Sequence, residues 1–436
     1  MTAATRLPLL ACALVVAAGA AAGQGSWTKT YAGGGTYEGT FREGLRHGQG
    51  SYERPDGYRY VGEWVEGRAE GRGRAELPDG SVYVGQFVDG RPHGEGRIQY
   101  ADGGRYEGGW AGGRKEGQGR ALHPDGSRYE GAFRAGLRHG QGVLEAADGT
   151  RYEGGWAEGM RDGEGRIAYP DGATYAGGMR AGLRHGRGRL VTAAGAIYEG
   201  QWAAGAIAGI GRLVHPDGDV YEGTFRDGRR EGQGILRSAN GDVYEGGFRA
   251  GLRHGAGRLS SADGSGYEGQ WVEGRIEGAG RATYPDGAVY EGELRGGAAH
   301  GQGRILYPDG SSYEGGWVAG VISGRGRAEY ADGLVYVGAF AEGRQEGRGT
   351  LTAPDGYSYA GGWRGGRMHG QGVERFADGS VYRGAFRDGR RHGRGTLTTA
   401  AGLRASGLWE AGEMVARDAG PHVPPATEAD GALSGG

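Results

Sequence analysis

The stretch YEGAFRAGLRHGQGVLEAADGTR, residues 129–151, decides the fold. Tyr129, Gly131 and Phe133 alternate as residues on one face of a β-strand do. Gly136, Gly140 and Gly142 punctuate the middle, and Ala147-Asp148-Gly149 reads as a tight turn. Asp suits the third position of a type I turn, and Gly accepts the left-handed conformation that follows. The same tyrosine returns 23 residues earlier and later, without a slip, from Tyr37 and Tyr60 through Tyr152 and Tyr175 to Tyr359 and Tyr382. An unstructured glycine-rich chain has no reason to keep register, so the period marks an ordered repeat array.

Counting each tyrosine as position 0, position 4 is Phe or Trp, as in Phe41, Trp64, Phe87 and Trp110, with Met179 and Leu294 as exceptions. Positions 2, 7, 11, 13 and 20 are glycine columns. Position 18 is Pro or Ala throughout, mostly followed by Asp-Gly, as in Pro124-Asp125-Gly126 and Pro308-Asp309-Gly310. A three-residue turn there pairs position 17 with position 21. Position 15, apolar except at Glu374, then faces the next tyrosine; glycine 13 faces the next glycine 2, and glycine 11 faces the next Trp or Phe. The register lays an aromatic ring across a bare strand glycine, which restores packing that glycine alone forfeits. The opposite face sets position 14 against position 1, as in Arg97/Glu107, Arg120/Glu130, Arg189/Glu199 and Arg304/Glu314.

The expected fold is all-β: an elongated, single-layer antiparallel sheet of about sixteen 23-residue β-hairpin repeats, an open solenoid-like ribbon. The array runs over 37–404, with an N-terminal half-repeat cap over 23–36, a C-terminal half-repeat over 405–412 and a disordered tail over 413–436. Ahead of it, the apolar run Leu7–Gly19 behind Arg6, ending at Ala20-Ala21-Ala22, has the pattern of a signal peptide over 1–22. The run is too short to span a bilayer. An exported mature chain, periplasmic or secreted and without a transmembrane helix, is expected. Cys12 is the only cysteine and falls in this segment, so no disulfide or cysteine ligand is expected afterwards.

The 436 residues contain 103 glycines, with 51 Lys+Arg against 53 Asp+Glu. That balance argues against a nucleic-acid partner, which needs basic excess. The string Tyr129-Glu130-Gly131-Ala132-Phe133 with Gly136, Gly140 and Gly142 resembles the MORN repeat (membrane occupation and recognition nexus), Y-x-G-x-[WF]-x-x-G-x-x-x-G-x-G. The match covers Tyr37 to Gly412 as a stand-alone array behind the signal peptide. The resemblance implies a β-hairpin array used for protein–protein contact, scaffolding or membrane apposition.

No catalytic constellation recurs, so an enzyme is not expected. Eight histidines share position 10, but successive repeats are about 10 Å apart, too far for shared metal ligation; no metal or cofactor is expected. Gly-x-Gly at positions 11 and 13 lacks the third glycine and helix of a phosphate loop. The candidate binding residues lie in the recurring Gly-Leu-Arg-His-Gly, read as loops on one edge: Arg46, His47, Arg138, His139, Arg184, His185, Arg253 and His254. Arginine outnumbers lysine 49 to 2, and planar guanidinium suits anions. A non-enzymatic interaction scaffold in the cell envelope follows, its partner a protein or the envelope surface. The alternatives are an envelope glycan stacked on exposed Tyr and Trp, or an anionic lipid at the edge loops.

Overall fold

The computed structural model describes residues 25–418. The expected signal segment, 1–22, and residues 419–436 of the expected tail lie outside the described residues. By their internal contacts the described residues form two compact units, one through Gly188 and one from Arg189 on. Each unit is built of short antiparallel strands with no helix among the described residues, and each strand pairs with the strands next to it in sequence.

In the repeat at 129–151, the strand Arg128–Arg134 turns at Ala135-Gly136 into the strand Leu137–Glu145. Both turn residues have positive φ, 51° and 91°. This is the geometry whose twist matches paired strands, and glycine supplies its second position without steric cost. The Gly136 N–H donates to the Lys115 carbonyl at 2.9 Å, so each turn is tied to the repeat before it. The second turn closes between Ala146 and Thr150, whose N–H and C=O meet at 2.8 Å. The strand Arg151–Ala157 follows. Its register sets Leu144 against Tyr152, Gly142 against Gly154 and Gly140 against Trp156, as the sequence pattern predicts.

Within the repeat, Tyr129 also faces Leu144 and Gly131 faces Gly142, but Phe133 faces Arg138. The register shifts between Gly131 and Phe133, leaving extra residues bulged around Gly140. This first turn and its bulge correct the expectation of edge loops. Only two residues form the turn, so Arg46, Arg138, Arg184 and Arg253 are the second residues of the strands Leu45–Glu53, Leu137–Glu145, Leu183–Val191 and Leu252–Ser260.

The array also continues past the Gly412 boundary expected from sequence. Ala411 and Gly412 repeat the positive-φ turn, at 50° and 103°. The strand Glu413–Arg417 then pairs back on Arg404–Glu410. Its side chains carry no repeat motif, because a terminal strand needs only one neighbour. At the other end, Trp27–Thr30 pairs with Thr36–Arg42.

The core is one face of each sheet. Tyr60 is fully buried, with its ring centroid 5.1 Å from Trp64 and 4.9 Å from Phe87 of the next repeat, both edge-to-face. Tyr221 repeats this with Phe225 and Phe248 at 5.0 Å each. Such pairs contribute about 0.5–1.5 kcal/mol beyond burial. The ring lies flat on glycine: a Cβ on Gly73 would sit 2.5 Å from the Tyr60 ring, and one on Gly62 would strike the Arg72 carbonyl at 2.6 Å. Polar tips are satisfied, since Tyr60 Oη donates to the Glu63 carbonyl at 3.0 Å and Trp64 Nε1 to the Gly50 carbonyl at 3.1 Å. Met179 and Leu294, which lack a ring, are buried in the same slots opposite Gly163 and Gly278.

Candidate interaction surfaces

The ring face is occupied by its own side chains, and the candidate arginines belong to it. Position 9 faces position 4 across the hairpin, which aims the guanidinium at the aromatic ladder. The Arg46 guanidinium lies 4.2 Å from the Trp64 centroid and 4.7 Å from that of Tyr52, and donates to the Gly67 carbonyl at 2.7 Å. Arg138 lies 4.3 Å from Trp156, Arg253 5.0 Å from Trp271 and Arg184 5.7 Å from Tyr175. All four are half-buried, as are His47, His139, His185 and His254 beside them. Burial lowers the pKa of Arg138 and Arg253 from the usual arginine value. These contacts have the geometry of cation–π stacking, and those of Arg46, Arg138 and Arg253 reach the Trp of the following repeat and tie consecutive repeats together. Sugar stacking needs exposed rings, and the rings of the position-0 and position-4 columns are buried apart from the half-buried Phe41.

One repeat departs from this scheme. Glu374 takes the apolar position 15, opposite Tyr359 and Tyr382, and is buried. It accepts from Tyr357 Oη at 2.9 Å and pairs with Arg391 Nε at 3.0 Å, while the Arg391 guanidinium covers Phe376 at 4.8 Å. The carboxylate is thus compensated inside the ladder.

The opposite face carries positions 1, 12 and 14 and remains open. In the first unit a trough of about 1030 Å³ runs past Arg97, Glu107, Arg120, Glu130 and Arg151. Arg120 meets Glu130 across strands at 2.9 Å and Arg151 meets Glu153 on its own strand at 2.8 Å, while Arg97, Arg105 and Arg128 have no ion-pair partner among the described residues. The second unit begins in the same way, with Arg189–Glu199 at 2.7 Å and Arg212–Glu222 at 2.9 Å.

The last repeats differ. Position 1 changes from glutamate to Val337, Ala360 and Arg383, and position 14 to Thr350, Val373 and Thr396. A trough of about 1290 Å³ there is lined by Arg325, Arg327, Arg348, Arg383 and Arg394 against two carboxylates, Glu314 and Asp418. Arg327 is held by Glu329 at 2.9 Å, and Arg394 lies 3.7 Å from Asp418. Arg325, Arg348 and Arg383 are exposed and have no ion-pair partner among the described residues. The backbone of Gly326, Gly338, Gly349 and Gly361 floors this trough. No repeat motif marks these residues; their sequence signal is the loss of glutamate from position 1 after Glu314.

A family model, the MORN repeat, matches sixteen consecutive segments, from residues 37–57 through 129–151 to 382–404. The chain belongs to the MORN repeat family. The family is a non-enzymatic repeat family, and its glycine and aromatic columns are the ones that build the ring face described above. No curated protein sequence matches the MORN array. Among solved structures it is similar to the TCP10 domain of Danio rerio CPAP in complex with a peptide of STIL, at 14% identity and a TM-score of 0.21, covering 65% of this chain and 95% of that one. It is also similar to the SAS-4 TCP domain of Drosophila melanogaster with a proline-rich motif of Ana2, at 13% identity and a TM-score of 0.19, over 45% of this chain and 86% of that one. A streptogramin B lyase follows at 14% identity and a TM-score of 0.12, covering 67% of this chain and 90% of that one.

Among the described residues no group of His, Cys, Asp and Glu is placed to hold a metal ion. No described helix is long and apolar enough to cross a membrane.

Proposed function

We propose that this MORN array is a non-enzymatic interaction scaffold of the cell envelope, reached by export through the segment 1–22, and that it takes protein partners along its polar face. The observation that supports this reading is the asymmetry of each sheet. The column rings are buried on one face, whereas the other presents open troughs of exposed arginine and glutamate side chains. A surface that is rigid below and variable above suits recognition by side chains. The arginines at position 9 serve cohesion between repeats, and anionic lipid binding through them would have to break their ring contacts.

The test combines fractionation with site-specific photo-crosslinking. The tagged chain is expected in the envelope fraction. A crosslinker at position 120 or 348 is expected to trap protein partners that one at position 138 does not. A cytoplasmic chain overturns the export reading. Equal trapping from both faces overturns the assignment of the polar face.

A further inference from the structure

Two observations set the trough of the last repeats apart. Past Glu314 no glutamate holds position 1, which leaves Arg325, Arg348 and Arg383 without a carboxylate partner among the described residues, and the trough has acid at Glu314 and Asp418. Arg325, Arg348 and Arg394 all occupy position 12, so they stand in one row across the strands. Successive repeats are two strand spacings, about 10 Å, apart. Arg325 and Arg348 are one repeat apart, and Arg394 stands two repeats further on. Arg383 lies on the strand Val381–Arg387, which pairs with the strand Arg390–Thr398 that carries Arg394.

We infer that this trough binds a short, extended acidic segment of a partner protein. The inference rests on the interaction-scaffold reading and names the chemistry of one partner. An extended chain advances about 3.3 Å per residue, so three residues match one repeat. Carboxylates at the first, fourth and tenth residues would therefore meet Arg325, Arg348 and the end of the row, where the unpartnered Arg383 adds to Arg394, which already lies beside Asp418. Guanidinium takes a carboxylate in paired, planar hydrogen bonds. The glycine floor lets the peptide backbone approach the sheet closely, and Thr350 and Thr396 offer hydroxyls along the way. Glu314 and Asp418 repel acid beyond the row, which favours a segment of about ten residues over a nucleic-acid strand running through. The concave surface likewise does not match the plane of a membrane.

The probe is a fluorescent ten-residue Gly/Ser peptide with glutamate at positions 1, 4 and 10, titrated against the full chain. Controls are a peptide with its three glutamates adjacent and one with lysine in their place. Binding is expected in the order spaced glutamate, adjacent glutamate, lysine, and it should weaken with salt. The triple variant Arg325→Glu/Arg348→Glu/Arg383→Glu is expected to weaken the spaced peptide by about tenfold or more. Arg120→Glu in the first unit should leave it unchanged. All three arginines are exposed, and circular dichroism verifies that the triple variant keeps its sheet. Equal binding of glutamate and lysine peptides overturns the inference, as does binding that survives the triple substitution. Phosphatidylserine vesicles bound through the same arginines, with no peptide binding, would assign the trough to a membrane instead. A protein crosslinked at position 120 and retained by the triple variant would leave the scaffold reading standing while the acidic-segment inference fails.

Discussion

Tyr60 and Arg120 occupy positions 0 and 14 of the 23-residue repeat, yet their surroundings differ in kind. Tyr60 is fully buried between two rings, on two glycines, with its hydroxyl bonded, and nearly every repeat copies that arrangement. Arg120 and its partner Glu130 are 75% and 64% exposed, and their columns elsewhere hold valine, threonine or alanine. On the ring face a substitution meets backbone or another ring at once. On the polar face it meets water. The period is therefore enforced from one side, and recognition is free to diverge on the other.

The comparison breaks most completely if the ring face is charged. Burial pushes the phenols of Tyr83, Tyr129, Tyr152 and Tyr221 up to about 12. A raised folded-state pKa means the neutral form is favoured by folding. This stabilisation is complete below the unfolded tyrosine pKa of about 10 and is lost as pH rises toward 12. Phenolate absorbance and loss of the β-sheet circular dichroism signal are expected to rise together between those values. Phenolate formation with the sheet intact would show the rings to be open to water.

A single ring comes next. Tyr221→Ala removes a fully buried side chain from between Phe225 and Phe248 and should cost about 3–5 kcal/mol. The loss should appear in hydrogen exchange of the flanking strands, Val220–Arg226 and Arg229–Arg237, before the array as a whole.

Glu374 sharpens the contrast, being a polar residue on the ring face. Arg391→Ala strips the carboxylate of its cation, at a cost of about 1–3 kcal/mol. Glu374→Leu restores the apolar column and should be neutral or stabilising. A thermal melt in which Glu374→Leu is the more damaging of the two would mean the ion pair is structurally required.

The smallest effect belongs to the polar face. Arg120→Ala should change stability by less than about 1 kcal/mol, since the pair is exposed and screened by water. A larger loss in the same melt would mean that this face also enforces the fold.

Much of the ring face was legible because it depends on spacing. The turn at Ala147-Asp148-Gly149 fixes which residues meet the next tyrosine, and Leu144 does face Tyr152. The other turn was not legible as a two-residue turn. Its first residue is Glu43, Asp89 or Ala135 as readily as any turn former, all held at positive φ by the hairpin around them. With that turn unseen, Arg46 and His47 read as loop residues, and the bulge that points Arg46 at Trp64 has no sequence mark except Gly48. The open trough was hidden for another reason. Three unpaired arginines become a surface only when strands from successive repeats lie side by side, and no single repeat contains them.

The paired ring contacts have a consequence for how such a chain grows. Tyr382 leans on Phe386 of its own repeat at 5.2 Å and on Trp409 of the following half-repeat at 5.1 Å. The joint between copies is thus made of one tyrosine from the left and one ring from the right, and it is nearly the same joint at every boundary. Copying or deleting 23 residues leaves a tyrosine to receive a ring on each side of the splice, so length can drift through gene duplication without any new contact having to evolve. The segment ending in Trp409 and Arg417 works as a terminator: it supplies the last ring and asks for none in return. A chain cut after Arg404 would keep all sixteen copies yet leave Tyr382 without its second ring.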